Sequence, residues 1–244
     1  MFEKIVPLDS TLHAGKKFRT NIGYGFARQQ HLSIIALHEL PKIATHHPIL
    51  FIKKPETGNF SPVALLGVEP KENLFVNADG SWLQGAFIPS AFRRYPFALV
   101  KTETNAMTVW MAETPELLDP ENGIELFTQD GVETEFLAKN KEFLVELLKS
   151  EMLTEIFCAK LVKLDLLVPG SLDIRIGGEL KQFSGCFVID ETRLNALSPQ
   201  AFESLREHGF LGAVYAHMIS LNLIDAVVAR KVAALALTPE KLVA

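Results

Sequence analysis

Only two of the 244 residues are cysteine, Cys158 and Cys186, and they stand far apart. That excludes a disulfide-stapled fold, a CxxC redox pair and a cysteine-based zinc cluster. Both thiols are expected to be free and buried in a reducing compartment. Charge of one sign is also scarce. The chain has 29 acidic and 24 basic residues, a formal net charge of -5 with no long run of either sign. This removes the basic footprint of a nucleic-acid binder, and no nucleic-acid partner is expected. The first residues, MFEKIVPLDSTLHAGKK, place charges where a signal peptide needs an uninterrupted apolar run, so the expectation is no Sec export and a cytoplasmic location. GxxxxGK[ST], GxSxG, HExxH and kinase signatures are all missing. The nearest approach to a nucleotide fingerprint, Gly23-Tyr24-Gly25, has Arg28 where the third glycine belongs and reads as a turn. No cofactor is assigned from the sequence.

What is present suits an α+β fold. With 48% apolar residues the chain can build a sizeable core. The pattern predicts one domain over residues 1–244, with a mainly antiparallel sheet in the N-terminal half and a long amphipathic helical region and C-terminal helices packed on it. Residues 33–37, 48–53 and 63–68 read as strands, with two helical turns at 39–46 and a hairpin connection at 55–59. Asn77-Ala78-Asp79-Gly80 is a turn signal that should place Phe75 and Trp82 on antiparallel arms. Pro89 should open a short helix that Pro96 stops, followed by strands at 97–101 and 107–112.

From about Val132 the period changes. Phe143, Leu147, Ser150, Thr154, Phe157, Leu161 and Leu164 recur at helical spacing, with Leu144, Leu148, Leu153 and Ile156 widening the stripe. This amphipathic helical region, with room for a single break, should end at Pro169-Gly170. Strands at 172–176 and 182–189 flank the turn dipeptide Gly177-Gly178. Ser198-Pro199 should open a helix that Gly209 stops. Residues 210–229 approach the length of a bilayer span, but His217, Ser220, Asn222 and Asp225 interrupt the run. Those groups are costly in hydrocarbon and satisfiable in a protein core, so no membrane insertion is expected.

Arg93 and Arg94, beside Trp82 and Tyr95, form the candidate ligand-binding set. Two guanidinium groups can clamp a carboxylate or phosphate while aromatic faces hold an apolar or peptide group. The competing reading pairs Arg93 with an internal carboxylate and leaves Arg94 facing solvent. His46 and His47 are adjacent on an extended chain and so point to opposite faces, and no carboxylate or thiol stands at ligand spacing, so no metal site is assigned. Asp190-Glu191 precedes a helix and reads as a cap, although with His47 it is also the pair from which an enzyme site could be assembled by the fold. No catalytic residue is assigned.

Ordered blocks along the chain resemble the SapC family of bacterial proteins. They are His47-Pro48-Ile49-Leu50-Phe51, Ala64-Leu65-Leu66-Gly67, Asn73-Leu74-Phe75-Val76, Asp79-Gly80 with Trp82, and Ile88-Pro89 leading to Arg93-Arg94-Tyr95-Pro96-Phe97. Leu126-Phe127, Asp130-Gly131, residues 185–191 and Tyr215-Ala216-His217 continue the series. The family name is associated with surface-layer proteins and implies a surface-assembly role, for which export would have to follow a nonclassical route. The aromatic and cationic clustering points to non-catalytic binding of a peptide, an acidic small molecule or a partner protein, and the resemblance implies an accessory protein. The alternatives are an enzyme with a fold-assembled His/carboxylate site and a surface-layer assembly component. A homo-oligomer is a further expected form of partner.

Overall fold

Turn chemistry and strand alternation place the first elements. The computed structural model describes residues 4–176 and 179–236. Strands β1 (Ile5–Pro7), β2 (Lys17–Phe18) and β3 (Leu32–Ile34) lead to a 3-10 turn at Leu37–Glu39 that runs into helix α1 (Leu40–Ile43). The expected hairpin follows: β4 (Ile49–Lys53) pairs antiparallel with β5 (Phe60–Leu65) across residues 54–59. The turn at Asn77 closes through Gly80 N–H to Asn77 O at 2.9 Å, with Gly80 at φ 85°. It sets Val76 opposite Trp82, and the Phe75 and Trp82 rings stack at 6.1 Å.

Helix α2 (Ser90–Arg93) is one turn long and has Pro89 at its N-cap; the Tyr95–Pro96 peptide bond beyond it is cis. Strands β6 (Phe97–Lys101) and β7 (Met107–Ala112) have the expected bounds, pair antiparallel, and take β1 as the third strand of their sheet. Strand β8 (Ile124–Glu125) pairs with β2.

Helix α3 (Glu135–Lys163) is unbroken over 29 residues, about 43 Å at 1.5 Å per residue. Its first half buries Leu137 and Leu144 against the β1-β7-β6 sheet, and its second half buries Phe157, Cys158 and Leu161 in the main core. The expected stripe is narrower than its sequence: Leu153 and Ile156 are exposed, on the side of the helix turned from both sheets. Pro169-Gly170 does not end the helix. It lies within β9 (Leu167–Ile176), and the helix stops instead at Leu164, where Asp165 takes φ 54°. A proline is tolerated there because β9 is an outermost strand.

Strand β10 (Glu179–Ile189) pairs with β9 and with β4, completing a five-stranded sheet in the order β3-β5-β4-β10-β9. The sheet is antiparallel throughout. Strands from the second half of the chain thus finish a sheet begun in the first. The Gly177-Gly178 turn lies outside the described residues.

Helices α4 (Glu191–Asn195) and α5 (Pro199–Glu207) are capped by Asp190 and Ser198, as their sequences suggest. Gly209, at φ 70°, separates α5 from α6 (Leu211–Ser220). A 3-10 turn at Leu221–Leu223 joins α6 to α7 (Ile224–Ala236). The stretch Leu211–Ala236 is long and apolar enough to cross a membrane, and 33% of its most apolar window is buried. Its polar interruptions have structural roles. His217 Nε2 accepts from Ile189 N–H at 3.1 Å, and Ser220 Oγ accepts from Ile49 N–H at 2.9 Å. Each ties α6 to a strand of the five-stranded sheet. Buried Lys231 ties α7 to Glu69, at 2.6 Å, and to Glu72.

Candidate functional site

The four candidate residues lie in and around α2, and among the described residues they line no common cleft. Trp82, 8% exposed, belongs to an aromatic cluster in which its ring meets Tyr24 and Phe92 at 5.6 Å each. Tyr95 stacks on Phe26 at 4.1 Å. These aromatic faces hold one another, so they contribute to the core more than to an open surface.

Arg93 turns inward. Its Nη2 donates to Glu39 Oε1 at 3.3 Å and to Ser90 Oγ at 3.0 Å, and its Nε donates to Ile88 O at 3.0 Å. The guanidinium lies 5.3 Å from the Phe87 ring centre and 5.4 Å from that of Phe143. Glu39, 1% exposed, is a hub that nothing in its local sequence singles out. Its Oε1 also accepts from Ser90 N–H at 2.8 Å, which caps α2 from a distance, and its Oε2 accepts from Ala36 N–H at 3.2 Å. Ser150 and Thr154 of α3 fasten the same turn: Thr154 Oγ1 accepts from Leu37 N–H at 2.8 Å, and Ser150 Oγ lies 2.6 Å from His38 Nδ1.

Arg94 points elsewhere. It lines a cleft of about 220 Å3 with Glu39, Phe92, Leu147 and Glu151, and the cleft runs along β3 from Gln30 to Ala36. Arg94 Nη1 lies 3.8 Å from Glu151 Oε1, with side-chain exposures of 28% and 44%. Strand β3 is outermost in its sheet, and Ile34 is 51% exposed. Its register sets Ser33 opposite Ala64, and Ile35 N–H donates to Pro62 O at 3.2 Å. Since antiparallel partners alternate, Ser33 and Ile35 bond inward while Leu32 and Ile34 present main-chain groups to the open edge. The cleft therefore combines a strand edge with a partly exposed ion pair.

A family model for SapC matches residues 8–227. This chain belongs to the SapC family. No curated protein and no solved structure matches it. All four candidate residues and the whole of β3 lie inside the SapC match.

The other titratable candidates of this SapC chain are structural in their contacts. His47 is fully buried, and its Nε2 donates to Phe87 O at 2.8 Å, which leaves Nδ1 without a proton. His217 has the opposite tautomer, because its Nε2 accepts from a main-chain N–H. Burial lowers the pKa of each imidazole to about 4, and for His47 the nearby charges of His46 and Arg230 add to that against the Phe87 hydrogen bond. Asp190 Oδ1 accepts from Arg193 N–H at 2.8 Å as the cap of α4. No hydrogen bond among the described residues joins His47 to Asp190 or Glu191. No group of three or more metal-ligating side chains occurs among the described residues.

Proposed function

We propose that this SapC-family protein is a non-catalytic binding protein that takes an extended peptide segment at the open edge of β3. The observation that carries this reading is the outward main chain of Leu32 and Ile34 facing the Arg94–Glu151 cleft. A strand added to a sheet edge gains affinity from main-chain hydrogen bonds and specificity from alternate side chains. An acidic side chain on the incoming strand would replace Glu151 at Arg94, exchanging one partly exposed ion pair for another. Arg93 is already committed to Glu39, so of the two arginines only Arg94 serves the ligand. The buried free thiols Cys158 and Cys186 suit a reducing compartment, and we place the protein in the cytoplasm.

The test is selection from a library of displayed linear dodecapeptides, followed by calorimetry on the enriched sequences. Enrichment of acidic, strand-forming peptides is expected. Ile34→Pro removes an outward N–H without touching the bonds to β5, and should abolish binding while leaving the far-ultraviolet circular dichroism unchanged. Arg94→Ala should weaken binding about tenfold, as loss of a charge-assisted contact does. Equal binding by Ile34→Pro would refute the edge assignment.

A further inference from the structure

A separate cavity, of about 290 Å3, opens beside β7 and the segment that leads into β2. Phe18, Met111, Ala112 and Leu118 make its apolar part; the first three are buried and Leu118 is 44% exposed. Lys4, His13 and Lys16 also line it, together with the carboxylate of Glu113. Two lysines against one carboxylate beside an apolar surface leave one cation over, and that imbalance favours an anion.

The bases are not equally occupied. Lys4 Nζ pairs with Glu113 Oε2 at 2.5 Å, at the exposed rim. His13, only 4% exposed, is pinned through Nδ1, which lies 3.1 Å from Asp9 N and 2.9 Å from Asp9 O. Its other ring nitrogen has no hydrogen bond among the described residues. Lys16 makes no ion pair among the described residues, so it is the cation available to a newcomer. The Glu113 carboxyl is held below its ordinary range by the Lys4 hydrogen bond first, then by the charge of Lys4, and also by Lys16 and His13. Lys4, Lys16 and His13 thus all lie near the Glu113 carboxyl at the rim. The volume lies just below the usual range of ligand cavities, roughly 300–1,000 Å3.

We propose that this cavity binds a small amphiphilic carboxylate, its apolar body against Phe18, Met111, Ala112 and Leu118 and its carboxylate on Lys16, with Lys4 beside it. An alkyl or an aryl body satisfies the same chemistry. The site is independent of the β3 edge.

Calorimetric titration of the full chain with sodium octanoate and with sodium 3-phenylpropionate separates the two bodies, and octylamine controls for the sign of the head group. One-to-one binding of at least one carboxylate is expected, with no binding of octylamine. Lys16→Gln, at an exposed position, should weaken the carboxylate about tenfold. Leu118→Asp should abolish its binding by placing a like charge in the cavity, and Ile34→Pro should leave it unchanged. The proposal is overturned if neither carboxylate binds at millimolar concentration, if octylamine binds as tightly, or if Lys16→Gln has no effect.

Discussion

Replacing Glu39 by alanine should destabilise the protein far more than replacing the arginine beside it. Glu39 is the acceptor for two buried main-chain N–H groups, those of Ala36 and Ser90. A buried donor left without a partner costs about 1–3 kcal/mol. Arg93 loses an ion pair as well, but its side chain is 38% exposed and can turn to water, so that contribution is small. The expected loss for Glu39→Ala is about 3 kcal/mol, which for a chain of this size lowers Tm by about 6–12 °C. Arg93→Ala leaves the carboxylate with both main-chain donors and should cost about 1 kcal/mol. Urea denaturation at pH 7.5 measures both, read from the midpoint at unchanged slope. The reasoning fails if Glu39→Ala lies within about 0.5 kcal/mol of the parent, or if Arg93→Ala costs as much as Glu39→Ala.

Two further outcomes follow from buried groups. His47 and His217 have folded pKa values of about 4, below the ordinary 6.5, so the unfolded chain binds protons that the folded chain refuses. Their contribution to stability is complete above pH 6.5 and is lost as pH falls toward 4, amounting to about 2 kcal/mol for each at pH 5. Urea midpoints from pH 7.5 to 5 should fall accordingly, and an NMR titration that finds either ring protonating near pH 6.5 in the folded protein would contradict this. Burial pushes the Cys158 thiol up to about 12 and raises that of Cys186. In the native state at pH 8, iodoacetamide should label Cys158 roughly a thousandfold more slowly than free cysteine, because the thiolate is the reacting form; labelling at the free-cysteine rate would show the site to be open.

Local chemistry was enough to read the elements whose causes are local. Strands β6 and β7 were legible because Pro96 and the residues 102–106 bound two short β-rich runs, and α5 because Ser198 caps it. The Asn77 turn was legible for the same reason. Pro169-Gly170 misled because whether a proline breaks an element depends on where the element sits: at the edge of a sheet the missing N–H faces no neighbour. Likewise Leu153 and Ile156 widen the stripe of α3 in sequence, yet the two sheets contact only the narrower face.

The candidate site was half legible for a related reason. Composition singles out Arg93 and Arg94 but cannot separate them, since adjacent helical residues point about 100° apart and either could face the core. What separates them is Glu39, 54 residues before Arg93, an acid in an apolar stretch whose burial is decided by the packing of the 3-10 turn against α2 and α3. Once Glu39 takes Arg93, the geometry of a single helical turn directs Arg94 to the cleft. The edge of β3 then matters only because β5, β4 and β10 all lie on its other side, an order set by pairings between distant segments. A binding edge of this kind is a property of strand order, so the same seven residues from Gln30 to Ala36 would offer nothing to a peptide in the middle of the sheet.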